Sequence, residues 1–468
     1  MTFQLYDEQL GRVVPFEPIN PPEVSIYSCG LTVQSAPHLG HLRKEVVSDV
    51  LKRWLGASGY QVKLVINITD INEKIETKAR TRNIEWFQLA YEVELDLHQA
   101  RRVLGIMPPD YEPRASGHIS EQIALVARLI ERGYAYAASD GSGDVYFDVR
   151  RWSEYGQLSN QSIDAMLDGE EIDTRGKHDA HDFTLWKGAK SSDPPTAIWP
   201  SPWGQGRPGW HLECSVMAVK YLGDTFDIHS GGLDLKFPHH ENEQAQAHAA
   251  GYGFARHWMH NAFLTQAGEK MSKSLGNTAS VTELARVYPP RALRLYLIAP
   301  HYRSIVGFSD DALVEATTQL ERIDGFLARA GAAAATEFNF DALPTAFVAA
   351  MNSDLGTPAA FAVLFDTLKA GNKALDAQDT VSVATALRAV RAMLQVLGLD
   401  PYAPEWAESG GNSELNVLLD TLIRLMLEQR AAARERKDWS AADAIRDQLI
   451  ASGVKVEDSP TGVRWSIG

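Results

Sequence analysis

The chain has two cysteines, Cys29 and Cys214, and Cys214 closes the run Gly209-Trp-His-Leu-Glu-Cys214, upstream of His239-His-Glu-Asn-Glu243. The apolar spacing predicts a helix over 211–221. That puts Cys214 near the positive end of a helix dipole, where a thiolate is favoured over a thiol. His239 and Glu243 stand i, i+4 in a second helical pattern and leave it from one face. Thiolate, imidazole and carboxylate are all zinc ligands, and three are in view here. Cys29 is a candidate for a fourth, although spacing alone does not pair it with Cys214. Two buried inert cysteines beside a surface helix carrying His and Glu give the same pattern. A metalloprotease H-E-x-x-H motif is absent, because Gln244 stands where the second histidine would be.

Two further clusters suit phosphate. In His38-Leu39-Gly40-His41 two imidazoles flank a glycine at the start of a helical pattern, where backbone N–H groups and the dipole attract anions. The same residues would serve equally as solvated helix-start side chains. Lys270-Met-Ser272-Lys273-Ser274, between Gly268 and Gly276, reads as a cationic loop able to close on a polyphosphate, or as a solvated lysine loop.

These residues need elements to position them. Val24–Cys29 and Gln61–Ile68 read as strands, and Leu42, Val46, Val50, Trp54 and Leu55 recur at helical spacing between them. Strand, helix, strand is a βαβ unit, which implies a parallel sheet with ligands beyond its carboxyl ends. Cys29, His38, His41 and Thr69-Asp70 all fall at that edge. A helix is expected over 86–104. The segment 118–200 changes character, with a hairpin around 139–143 and then charged, irregular sequence, and reads as an insertion. The sheet resumes with strands over 225–230 and 258–265. Helices are expected over 309–330, 343–371 and 380–398, followed by a linker over 404–413. A basic helix spans 414–436, and a closing unit has a helix over 440–452 and a hairpin around 460–462. The fold expected is α/β: a Rossmann-like parallel-sheet domain split by an insertion, then an α-helical domain and a small α+β C-terminal unit. The divisions are 1–117, 118–200, 201–265, 266–315, 316–403 and 404–468.

Composition sets bounds on function. The 468 residues are 45% hydrophobic and 22% charged, ordinary for a soluble globular protein. Two cysteines cannot form a disulfide framework, so a reducing cytoplasm is expected. The N-terminus lacks a signal-peptide pattern, and no apolar run approaches the ~20 residues of a membrane span. The net charge of −15 argues against broad nucleic-acid binding but leaves room for a partner on local basic patches. Arg424, Arg430, Arg434, Arg436 and Lys437 form one such run, with Arg464-Trp465 beyond it. Such a run is also what a solvated helix face looks like.

In order along the chain, Cys29-Gly-Leu-Thr32, His38-Leu-Gly-His41, Asn67-Ile-Thr-Asp70, Gly209-Trp-His-Leu-Glu-Cys214, Phe237-Pro-His-His-Glu-Asn-Glu243 and Lys270-Met-Ser-Lys-Ser274 resemble signature segments of class I aminoacyl-tRNA synthetases, specifically the cysteinyl-tRNA synthetase family. The likeness runs nearly end to end, including Lys437-Asp-Trp-Ser-Ala-Ala-Asp-Ala-Ile-Arg446. Leu31, Gln34-Ser35 and Ser230 depart from the family pattern, and none is a ligand or signature residue.

The resemblance implies one Zn²⁺ per chain on Cys29, Cys214, His239 and Glu243. It implies ATP with Mg²⁺ at His38, Gly40, His41, Lys270, Ser272 and Lys273, of which His38, His41, Lys270 and Lys273 are catalytic. It implies L-cysteine at Gly30, Thr32, Thr69, Trp210 and Asp234. It also implies tRNA(Cys), with Arg430, Arg434, Arg436, Lys437, Arg464 and Trp465 as contacts, and a cytoplasmic enzyme with no membrane association that is by family default a monomer. A pocket shape alone separates cysteine from serine by only about 1–3 kcal/mol, whereas zinc takes a thiolate far better than a hydroxyl. A related cysteine ligase of mycothiol synthesis shares this chemistry without a full anticodon-binding end. A non-catalytic tRNA-binding paralogue would have lost signature residues that are intact here.

Overall fold

The computed structural model describes residues 2–163, 176–266, 269–270, 280–332, 334–407, 413–452, 454–459 and 462–467. Only the backbone is described at 269–270, 407, 413–421, 424, 455–459 and 462–467. Two compact units emerge, Met1–Glu405 and Trp406–Gly468.

The first unit opens with a hairpin, β1 (Gln4–Asp7) and β2 (Arg12–Pro15). Then β3 (Glu23–Ser28), α1 (Leu39–Ala57) and β4 (Gln61–Ile66) form the expected βαβ unit, with β3 and β4 parallel. Val24, Ile26 and Tyr27 of β3 are buried from both faces, as suits a central parallel strand. In α1 the apolar set Leu39, Leu42, Val46, Val50 and Trp54 is buried at helical spacing, and so are Arg43, Lys44, Glu45, Ser48 and Asp49. Buried charges need partners, and α1 supplies them at two positions: Arg43 donates to the carbonyls of Ala262, Phe263 and His301, and Glu45 pairs with Arg101.

Helices α2 (Glu73–Thr81), α3 (Trp86–Val103) and α4 (Ile119–Glu131) follow. A separate five-stranded antiparallel sheet has the order β5-β6-β7-β9-β8, from β5 (Ala135–Ala137), β6 (Val145–Phe147), β7 (Phe183–Gly188), β8 (Trp199–Ser201) and β9 (Gly204–Pro208). Sequence reading finds only the first hairpin of this sheet, because Trp-Pro-Ser and Gly-Gln-Gly-Arg-Pro carry no alternating apolar signal. The chain re-enters the parallel sheet through α5 (Trp210–Leu222), β10 (Thr225–Gly232), α6 (Glu241–Ala249) and β11 (Phe254–Asn261), giving the order β11-β10-β3-β4. β11 begins at Phe254, ahead of the expected 258.

A three-stranded sheet joins β12 (Leu264–Gln266), β13 (Glu269–Lys270) and β14 (Val306–Phe308), with α7 (Val281–Leu284) and α8 (Pro290–Ile298) between the last two strands. Then come α9 (Asp310–Arg329), α10 (Thr345–Asn352), α11 (Thr357–Asp376) and α12 (Thr380–Leu397). The helix expected over 343–371 is thus two, broken where Asp354 and Leu355 take φ of 55° and 49° ahead of Gly356. By length and composition α12 could cross a membrane, contrary to the expectation that no such run exists. However, 44% of it is buried, and its apolar face, with Val390, Leu394 and Leu397, belongs to the main core.

Short α13 (Pro404–Ala407) spans the division between the units. The second unit holds α14 (Ser413–Glu435), α15 (Trp439–Ala451) and a hairpin of β15 (Val454–Ser459) and β16 (Gly462–Ile467), around Ile423, Leu449 and Val454.

Candidate metal centre and substrate cleft

Parallel pairing brings the carboxyl ends of β3 and β10 side by side, and Cys29, the residue after β3, donates its N–H to the Ser230 carbonyl at 3.0 Å. Cys214 lies one turn into α5, His239 just ahead of α6, and Glu243 in the first turn of α6. The four potential ligand atoms all lie within 4.8 Å of one another and are buried. The two sulfurs are 3.6 Å apart, Cys29 Sγ is 3.4 Å from Glu243 Oε1, and His239 Nε2 is 2.9 Å from the same oxygen. Two sulfurs at ~2.3 Å from a tetrahedral zinc would be about 3.8 Å apart, so the donor set fits that ion.

A second grouping, Cys29, His229, His240 and Glu243, shares two members with the first. The first set has both sulfurs, which suits a borderline-soft ion better. The other histidines contact members of this first set, as partners that would orient metal ligands do. His229 Nε2 is 2.8 Å from Glu243 Oε2, His211 Nδ1 is 2.8 Å from His239 Nδ1, and His240 Nε2 lies 3.3 Å from Cys29 Sγ.

Burial pushes the Cys29 thiol well up, and its bond to Cys214 adds to this. Burial also pushes Cys214 up, but the hydrogen bonds from Cys29 and His239 outweigh it and hold the thiol at about 6. Burial opposes charge on Glu243 and His239 too. His229 and His239 nevertheless hold Glu243 down to about 2, and Glu243 and Cys214 raise His239 to about 10. Metal ligation here would take His239 as a neutral imidazole and the cysteines as thiolates, so binding would release protons.

Beside the cluster lies a cleft of about 690 Å³, bordered by Thr32, His38, His41, Lys44, Asp234 and Leu264. His38 caps α1, its N–H donates to His41 Nδ1 at 3.4 Å, and the two rings stack 3.5 Å apart. Gly40 also borders the cleft, and a Cβ there would sit 3.1 Å from the His38 ring. Lys44, two turns into the helix, is buried and donates from Nζ to the Cys29 carbonyl.

Thr32 and Thr69 are bridged backbone to backbone. The Thr69 hydroxyl meets Glu213 Oε2 at 2.9 Å and accepts from Asn67 Nδ2 at 3.1 Å, while Gly30 N–H donates to Asn67 Oδ1 at 2.7 Å. A Cβ on Gly30 would come 1.5 Å from the Asn67 carbonyl oxygen, so only glycine fits. Trp210 stacks on His239 at 4.2 Å and, with Glu213, borders an adjoining pocket of about 400 Å³ instead of the main cleft.

Lys270 is described through its backbone, paired opposite Thr265. Ser272 and Lys273 lie outside the described residues. Both flanks of that segment are tied to the start of α1: Arg43 holds the Ala262 and Phe263 carbonyls, and Ser280 bridges to His38.

In the second unit Arg434, Arg436 and Lys437 are exposed. Arg430, expected among the phosphate contacts, is instead buried, because it falls on the inward face of α14 with Ala433. Arg464 and Trp465 lie on β16, opposite Glu457 and Val456. Sequence reading missed Lys44, His211, His229, His240, Asn67 and Glu213. Asn67, His211, Glu213 and His240 lay inside the signature segments without a role of their own, and the polar run 43–45 among the apolar positions of α1 was the signal for Lys44.

Residues 15–318 match the family described as tRNA synthetases class I (C) catalytic domain, residues 346–399 the DALR domain, and residues 423–465 the cysteinyl-tRNA ligase anticodon binding domain. The cysteine--tRNA ligase of Cutibacterium acnes is 55% identical, covering 100% of this chain and 97% of its own length. That of a Nocardioides species is 52% identical, covering 100% of both. Mycobacterium tuberculosis methionyl-tRNA synthetase in complex with methionyl-adenylate shares the fold at TM-score 0.58 and 17% identity, over 83% of this chain and 92% of that one. The chain therefore belongs to the cysteine--tRNA ligase family of class I aminoacyl-tRNA synthetases.

Proposed function

We propose that this aminoacyl-tRNA synthetase activates L-cysteine with ATP to cysteinyl-adenylate and transfers the cysteinyl group to the 3′ end of tRNA(Cys). The observation that carries this reading is the buried Cys29, Cys214, His239 and Glu243 cluster beside a cleft headed by stacked histidines at a helix N-terminus. A Zn²⁺ ion held by those four residues would supply the preference for a substrate thiolate over a serine hydroxyl.

The remaining chemistry is positioning and electrostatics. The cysteine carboxylate attacks the α-phosphorus, an acyl C–O–P bond forms, and the bond to pyrophosphate breaks. His38, His41 and the N-terminal N–H groups of α1, with Gly40 permitting close approach, stabilise charge on the phosphates. Lys270, Ser272 and Lys273 act on the departing pyrophosphate with Mg²⁺. Gly30, Thr32, Thr69, Trp210 and Asp234 hold the amino acid; the carboxylate of Asp234 suits its ammonium group and the Trp210 face closes the side-chain end. The terminal ribose hydroxyl of the tRNA then displaces AMP, and no protein nucleophile is required. Arg434, Arg436 and Lys437, with Arg464 and Trp465, are the proposed tRNA contacts of the C-terminal region, which the match to an anticodon binding domain supports.

The test is cysteine-dependent ATP–pyrophosphate exchange on protein whose zinc is measured in parallel, with serine as control. Exchange with cysteine alone at about one zinc per chain supports the reading. No exchange in folded, zinc-loaded protein refutes it.

A further inference from the structure

Lys44 belongs to none of the signature segments, yet it places a buried ammonium at the wall of the main cleft. Only 9% of it is exposed, and it borders the main cleft alongside His38, His41 and Asp234. Its Nζ donates to the Cys29 carbonyl. It makes no contact ion pair among the described residues: its neighbour Glu45 attracts it through space, but the Glu45 oxygens are hydrogen-bonded to Arg101. An ammonium carries three donors, so two remain. A buried cation with unused donors is costly unless an acceptor meets it, and here the cleft is the open direction.

The anchor fixes where that cation lies. Cys29 is a member of the thiol cluster, while His41, one turn before Lys44 on the same face of α1, is at the phosphate end of the cleft. An amino acid with its side-chain thiol at the cluster and its carboxylate reaching the α-phosphorus must pass its carboxylate between these points. We propose that Lys44 is a substrate-contacting cation that binds the cysteine carboxylate and stays against the acyl-phosphate oxygens as the adenylate forms. The inference rests on the reading that this cleft makes cysteinyl-adenylate. It adds a residue to the reaction without a new chemical step: Lys44 holds charge and transfers no proton.

The test uses the full chain as zinc-loaded wild type, Lys44→Met and Lys44→Arg, with thermal melts and zinc content run alongside. Exchange is measured against L-cysteine and with cysteamine, which has the thiol and amine but no carboxylate, as competitive inhibitor. Lys44→Met is expected to raise the KM for cysteine roughly 10- to 100-fold, the size of one charge-assisted hydrogen bond. The inhibition constant of cysteamine should stay within about twofold, and Lys44→Arg should recover part of the loss. Cysteine and cysteamine weakening together would mean that Lys44 only supports the Cys29 backbone, and would overturn the proposal. So would an unchanged cysteine KM. Wild-type protein without cysteine-dependent exchange would instead remove the parent reading, and this one with it.

Discussion

Cys214 and His239 show how little of a candidate metal site is decided by its four central residues taken singly. A thiolate at about 6 and an imidazolium at about 10 are each other's counter-charge, and both are buried with Glu243. Replacing Cys214 with serine removes the softer donor and the counter-charge at once. Cys214→Ser should therefore lose bound zinc and cysteine activation together, by more than the ~100-fold that loss of an outer partner brings. Zinc per chain by atomic emission and cysteine-dependent exchange check this. A variant that keeps full activity without metal would refute the ligand assignment. His229 tests the next layer. Its Nε2 holds the Glu243 oxygen that faces away from His239, so His229→Gln should weaken zinc roughly 10- to 100-fold, with activity restored by excess metal in a chelator competition. The four residues of the cluster were legible as residue types at helical spacing, together with the resemblance. His229 was not, because a histidine on a strand reads the same whether it orients a carboxylate or fills a core; His240, in the helical turn ahead of α6, lay in a signature segment with no role attached. Lys44 was hidden for a similar reason: a lysine in a helix looks solvated until the helix proves to be buried on every side.

At the scale of elements, α1 links the site to the rest of the first unit. Its N-terminus lines the cleft, and its Asp49 meets Arg294 of α8, which is fully buried and also donates to the carbonyls of Leu104, Gly105 and Leu397. Asp49→Asn leaves that guanidinium buried without its counter-charge, so stability should fall by about 3–5 kcal/mol in denaturant titrations while the zinc content of folded protein is unchanged. The same pairs set an acid limit. Burial alone would raise the carboxyl pKa of Asp49 and Glu45, but Arg294 and Arg53 overcome it for Asp49, and Arg101 and Lys44 for Glu45, so both are lowered in the folded protein. A carboxylate with a depressed folded pKa contributes stability above its unfolded value, about 4, and loses it as pH falls through the lower folded value. The melting temperature should therefore drop below about pH 4, and Asp49→Asn should flatten that slope. A slope identical in wild type and variant would remove Asp49 from the account. The βαβ unit was legible because its apolar periods are long and clean. The break between α10 and α11 was not, since Asp354 and Leu355 adopt positive φ under tertiary constraint: the Asp354 side chain is held by Tyr6 N–H, Tyr302 and Arg303.

At the scale of the whole molecule, a chain of net charge −15 has to bind a polyanion, so attraction must come from local patches that outweigh the average field. In the second unit the exposed cations Arg434, Arg436 and Lys437 cluster where α14 ends, and cations there also complement the helix dipole. The two roles make different predictions. If the three residues serve only the helix end, replacing them with glutamate lowers stability modestly and leaves tRNA recognition alone. If they bind phosphates, the Arg434→Glu, Arg436→Glu, Lys437→Glu variant should raise the KM for tRNA in aminoacylation at least about tenfold. It should also flatten the dependence of log affinity on log salt by about 0.7–0.9 for each phosphate that is no longer neutralised. ATP–pyrophosphate exchange, which involves no tRNA, should stay within about twofold, because the cleft lies in the other unit. Arg430→Gln separates the two further. Buried as it is, this residue should affect stability of the second unit before it affects the salt slope. An unchanged salt slope in the triple variant would move the tRNA-binding surface off this patch and leave the helix end as its whole role.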